Sequence, residues 1–197
     1  MADDSPAGQV SYYASLGAAT VAWNQAENSL RQMLIALCGA SPEIWILTAE
    51  LSAIPLERAL QSGATDIASA RLKPFIEHCI EWFDRLREYR NYYIHGINDV
   101  SLHYSGKFVG DASQTTAKRR LVIHQEFIFE ERLLHFRQQA AELLAFSSDV
   151  LFHVAAHPMT AFSDGKPFPP LPEMPPLPDR LQKPRQNFTT DPSTQEE

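Results

Sequence analysis

Arg90, Asn91 and His95 fall within the ten-residue stretch REYRNYYIHG, residues 87–96, where an apolar pattern runs into polar chemistry. Arginine keeps its charge at any working pH, so Arg90 is no base. Its forked donors suit it to hold a phosphate and to offset the extra charge of a pentacovalent transition state. Histidine titrates near 6.5 when unperturbed, so His95 can take a proton from a ribose 2′-hydroxyl or give one to a leaving 5′-oxygen. Asn91 adds neutral donors and an acceptor that can orient a phosphate or a neighbouring side chain. A blander reading stands beside this one. Arg90 would then be a cation favoured by the helix dipole near a C-terminus by about 0.3–1 kcal/mol, paired to Asp84, Glu88 or Glu27, and His95 would bond a free carbonyl at the helix end.

These side chains must be positioned by a helix over residues 72–94. Leu72, Ile76, Cys79, Phe83, Leu86, Arg90 and Tyr93 step by four and three, as one helix face does, so Arg90 occupies a position that packing would give to leucine. A buried, unpaired guanidinium would cost several kcal/mol; the position therefore calls for a carboxylate, a phosphate or a wet cleft. Glu27, at the edge of the apolar stripe of the first helix, is the candidate partner, its alternative being a surface glutamate. Five residues correspond to about 140° of rotation on an ideal helix, so Arg90 and His95 converge only if the helix tightens, frays or ends at His95. Gly96 is placed to supply a left-handed closing turn.

Arginine, a polar residue, three variable positions and histidine at the end of an internal helix resemble the RNxxxH motif of HEPN domains, small helical bundles common in prokaryotic defence and toxin systems. The resemblance covers residues 11–156. It implies a mainly α, HEPN-like bundle of four to five helices that acts as a homodimer, in which Arg90, Asn91 and His95 of two chains form one composite cleft with Glu27 nearby. The implied activity is metal-independent endoribonuclease cleavage: attack of the 2′-hydroxyl on the adjacent phosphorus leaves a 2′,3′-cyclic phosphate and a 5′-hydroxyl, with no cofactor and no metal. The implied partners are RNA and a regulating protein such as an antitoxin. Some HEPN proteins bind a nucleotide or a protein partner without cutting, which is the alternative function; a helical scaffold without a ligand is a third.

The remaining segments read as follows. Residues 1–10 form a flexible start. Leu16, Trp23, Leu30 and Leu37 recur every seven positions, with Ala19, Ala26 and Met33 between, which predicts a long amphipathic helix from Ser11 to Cys38 that Gly39 stops. Ser41-Pro42-Glu43 opens a shorter helix to about Leu51. PLERALQSGATDIASA reads as a short irregular helix with a loop around Ser62-Gly63. Residues 99–129 are β-branched and aromatic, and predict an inserted β-hairpin whose turn is the polar DASQTTA. A last helix follows from Glu130 to Ala156, ended by Pro158. Residues 157–197 form a Pro-rich tail that holds ten of the fourteen prolines and is predicted to be extended or disordered. Its two PPLP elements, 169–172 and 175–178, could dock an aromatic groove on a partner; alternatively the tail is a spacer or a strap on the domain surface.

Composition narrows the function classes. With 197 residues and 44% apolar content, one globular domain is expected. A net charge of −7 argues against a broad basic surface for long nucleic acid, although it leaves room for one local phosphate site. Lys118-Arg119-Arg120 could touch a backbone, or be ordinary solvated charge. The absence of a long apolar run and of a basic start followed by an apolar stretch predicts no membrane association and a cytoplasmic location. Cys38 and Cys79 are expected as buried reduced thiols. His153 and His157 have helical metal-ligand spacing, but no carboxylate completes a set.

Overall fold

The computed structural model describes residues 6–103, 105, 107–116, 122–156 and 169–181. The order is α1 (Pro6–Cys38), α2 (Pro42–Ala49), α3 (Ala53–Asp66), α4 (Lys73–Tyr93), β1 (Ile97–Leu102), β2 (Phe108–Thr116), β3 (Val122–Phe129) and α5 (Glu130–Ala156). The protein is mainly helical, with five helices and a small antiparallel sheet among the described residues. No described helix is long and apolar enough to cross a membrane.

The seven-residue rhythm of α1 becomes a buried face: Ala19, Trp23, Ala26, Leu30 and Met33 are all fully buried. Helix α1 starts at Pro6, so the helical pattern reaches back into the segment expected to be flexible. Proline is tolerated in that first turn because its missing N–H has no helical partner to lose. Gly39 closes the helix with φ +85, the left-handed conformation that costs glycine nothing. Helix α5 lies along α1, where the buried Ser29 and Ser147 hydroxyls meet at 2.8 Å and satisfy each other. Between α1, α4 and α5, Trp23 stacks on Phe83 at a centroid distance of 4.7 Å and on Phe136 at 6.4 Å, an offset aromatic pile that fixes how the three helices meet.

Helix α3 runs unbroken through Ser62-Gly63. Gly63 serves packing there: a Cβ on it would stand 3.2 Å from Leu37 Cδ1, so its bareness lets α3 come close to α1. The hairpin of residues 99–129 is a three-stranded sheet in the order β1-β2-β3. The first run folds back on itself where His103 N–H donates to the Lys107 carbonyl (2.8 Å), and the supposed turn DASQTTA is largely strand, paired with β3 from Asp111↔Phe127 to Thr116↔Val122. Ladders are made by backbone groups that every residue supplies, so a polar run pairs once buried Val109 and Ala112 anchor its start. Finally, Cys38 is exposed on the last turn of α1, whereas Cys79 is buried in the α4 core and burial pushes its thiol well above the ordinary range.

The sheet is bolted to α1 through Tyr12, whose hydroxyl donates to the Ile128 carbonyl at 2.9 Å and whose pKa burial pushes up to about 12. Gly110 on β2 makes this approach possible, because a Cβ there would sit 2.5 Å from the Tyr12 hydroxyl and 2.9 Å from Ile97 Cδ1.

Residues 169–181 have no regular secondary structure and lie along α4 as a strap. Arg85 Nη1 donates to the Pro178 carbonyl (2.7 Å), the Tyr89 hydroxyl donates to the Asp179 carbonyl (3.1 Å), and Arg180 pairs with Glu81 at 2.7 Å. Leu171, Leu177 and Leu181 pack against the core. Both PPLP elements therefore belong to a segment seated on its own domain, the strap alternative of the sequence reading. Lys118-Arg119-Arg120, His157 and Pro158 lie outside the described residues, as does the rest of the tail.

Candidate functional site

Six of the seven residues on the α4 seam (Leu72, Ile76, Cys79, Phe83, Leu86 and Tyr93) are buried, as the four-three spacing requires. The seventh, Arg90, is half-buried. Its guanidinium reaches the Trp23 ring, 5.8 Å from the centroid, within the range of a cation–π contact. No carboxylate of the described residues pairs with it, and its side-chain hydrogen bond goes from Nη1 to Asn91 Oδ1, at 3.1 Å. Arginine tolerates this seat because its delocalised charge is weakly hydrated and can rest on an indole face.

Glu27 does not pair with Arg90. Its carboxylate accepts from Trp23 Nε1 at 3.0 Å and from the guanidinium of Arg31, one helical turn on. Arg31 in turn donates to the Thr48 carbonyl of α2 at 2.6 Å. The intrahelical partner wins because residues four apart are neighbours on one helix face and need no interhelical approach. Glu27 and Arg90 are thus joined through a third residue: Trp23 gives its N–H to the carboxylate and its face to the cation.

Helix α4 ends at Tyr93, with the Ile94 N–H donating to the Arg90 carbonyl. Ile94 stays right-handed, at φ −89 and ψ −41, and positive φ among the described residues is found at Gly39, so Gly96 does not supply the left-handed turn that the sequence suggested. The chain bends at His95 and Gly96 and enters β1 directly, so extension of the backbone into a strand performs the termination. The bend frees His95 from the helical 140° offset. His95 is exposed, yet the desolvation it retains, followed by the positive charge of Arg90, holds the imidazole below its ordinary pKa. Arg90 and Asn91 are joined by a hydrogen bond near the C-terminal end of α4, and His95 follows just past that end, exposed and near enough for the charge of Arg90 to bear on it. Glu27 stands one residue away, behind Trp23.

Neighbouring tyrosines form a wall. Tyr93 packs edge-on against Tyr89 (5.5 Å) and Phe136 (6.4 Å), and burial, the leading cause, raises the pKa values of Tyr89, Tyr92 and Tyr93, with Tyr92 pushed up to about 12. These phenols stay protonated near neutrality. Among the described residues no group of three or more His, Cys, Asp or Glu gathers to hold a metal.

No family model, curated protein or solved structure matches the chain. An always-charged guanidinium, an amide and a neutral-leaning imidazole, with no resident carboxylate on the guanidinium among the described residues, can receive an anion and move a proton beside it. Trp23 and Arg31 were not singled out by sequence reasoning. Trp23 looked like core, which it is, and nothing in its spacing marks its face as a cation seat. Arg31 was legible: glutamate followed four residues later by arginine on one helix is a recognisable ion-pair pattern.

Proposed function

We propose that this protein is a metal-independent endoribonuclease of HEPN type, active as a homodimer in which Arg90, Asn91 and His95 of both chains border one cleft. Arg90 would bind the scissile phosphate and stabilise its transition state; Asn91 would orient it; His95 would exchange the proton with the 2′-hydroxyl or the leaving 5′-oxygen. Glu27 would act from behind, by fixing the indole on which Arg90 rests. The observation that carries this reading is Arg90 itself: a cation on an otherwise buried seam, without an ion-pair partner among the described residues and close enough to His95 to bias its titration. A site kept for phosphate needs that unfilled charge.

Incubating the full chain with RNA in EDTA tests the proposal. Products ending in 2′,3′-cyclic phosphate are expected, and they should disappear in His95→Ala. Cleavage unaltered by that substitution refutes it. The same free cation also supports a second reading, a non-catalytic HEPN module that binds a mononucleotide through Arg90. In that case nucleotide would raise the melting temperature by mass action, while RNA would survive intact.

A further inference from the structure

We propose that the outer face of α2 and the groove beside it bind a second copy of this chain. Three consecutive α2 residues face solvent, Trp45 at 47%, Ile46 at 67% and Leu47 at 64% exposure. At about 100° per residue they take up much of the circumference of the helix, and a helix that is apolar around most of its girth is ordinarily covered. Leu47 and Ile67 (54% exposed) also line an apolar groove of about 460 Å³ between α1, α2 and α3, floored by Leu34, Ile44, Leu51 and Ala59. The one buried polar residue in its lining, Thr48, is already satisfied: its hydroxyl donates to the Ile44 carbonyl at 2.6 Å, and its own carbonyl is held by Arg31. The groove therefore offers shape and oil in place of directed hydrogen bonds.

A second copy fits this surface better than a small apolar molecule does. A ligand filling the groove would leave Trp45 and Ile46 in water, whereas a protein surface covers both. Ridge and hollow lie side by side on one face, so a two-fold rotation seats the α2 ridge of each protomer in the groove of the other, the self-complementary arrangement that a two-fold interface demands. Together with Ile54 (46% exposed), the five side chains present on the order of 500 Å² of apolar surface, as much as the largest patch a monomer ordinarily exposes and well over half of the roughly 800 Å² per partner of a stable interface. Exposed Glu43, Glu50, Asp66 and Arg58 border the patch with both signs of charge, and none makes an ion pair with the described residues, as suits a polar rim. This contact is separate from the Arg90 cleft, so the two failures can be told apart.

The test is the mass in solution of the full chain and of Ile46→Lys by light scattering after size exclusion, with circular dichroism to show that the variant is folded. The wild type should lose mass about twofold on substitution, one two-fold interface being removed: from dimer to monomer where the α2 contact stands alone, or from tetramer to dimer where the Arg90 contact is made as well, and in the second case RNA cleavage should be retained. A native reporter supplies the second measurement. Cys38 lines the groove and is exposed, while Cys79 is buried, so maleimide labelling of Cys38 should slow as protein concentration rises, and should lose that dependence in Ile46→Lys. A mass unchanged by the substitution, a wild type that stays monomeric as it is concentrated, or a labelling rate independent of concentration each overturns the proposal.

Discussion

Replacing Arg90 by leucine separates a residue kept for its charge from one kept for the fold. Full burial of a leucine side chain is worth about 1.5–3 kcal/mol; the position is half-buried, so the gain is about 1 kcal/mol. Against it stand a partly exposed cation–π contact with Trp23, about 0.5–1 kcal/mol, and the favourable charge in the last turn of α4, about 0.3–1 kcal/mol. With no carboxylate of the described residues stranded by the change, the three contributions nearly cancel. Arg90→Leu should therefore shift stability by no more than about 1 kcal/mol in urea unfolding, a melting change of about 2–4 °C for a chain of this size, while RNA cleavage is abolished. A loss of about 3 kcal/mol or more, the scale of breaking a buried ion pair, would mean that Arg90 is a structural residue and would remove the main support for a phosphate site.

Other outcomes follow from the same geometry. The His95 midpoint, read by NMR, should lie below the ordinary 6.5 and move upward in Arg90→Gln, because removing a nearby positive charge favours the imidazolium; since burial is the larger cause, it should not rise fully to 6.5, and a midpoint unmoved by the substitution would place the guanidinium too far away. If His95 is the base, cleavage falls as pH drops through that lowered midpoint and is flat above it, whereas an acid role reverses the sign. Gly110→Ala should destabilise by about 1–3 kcal/mol through overpacking, with part of the loss recovered in Tyr12→Phe, which removes the oxygen that the new methyl would strike. Arg31→Ala should cost about 1.5–3 kcal/mol, the scale of hydrogen bonds to charged groups, since it releases both Glu27 and the Thr48 carbonyl; a neutral result in thermal melts would show that α2 is held by other contacts.

Much of this architecture was legible in the residues. The α4 seam, the seven-residue rhythm of α1, the Ser41-Pro42 start of α2 and the bounds of α5 are short-range patterns in which side-chain periodicity and helix geometry agree. The errors came where distant contacts decide. Gly63 looks like a loop residue until Leu37 is known to press on it, DASQTTA looks like a turn until β3 lies beside it, and Gly96 looks like a helix cap until β1 is seen to begin at Ile97. At the site, the bond between the adjacent Arg90 and Asn91 and the end of α4 just before His95 are matters of spacing and helix length, which sequence carries. Glu27 pairs with Arg31 four residues on along its own helix, and not with Arg90 across the interhelical gap, a pairing that the i, i+4 spacing marks in the sequence.

The strap also sets an order of events during synthesis. The bond between Arg85 and the Pro178 carbonyl spans 93 positions, so a ribosome adding about 5–20 residues per second leaves the outer flank of α4 bare for on the order of 5–20 seconds. During that interval Glu81, Arg85 and Tyr89 are open to chaperones and to other nascent chains. A chain cut short before residue 169 would leave that flank uncovered, with Arg85 and Tyr89 lacking the carbonyls to which they donate.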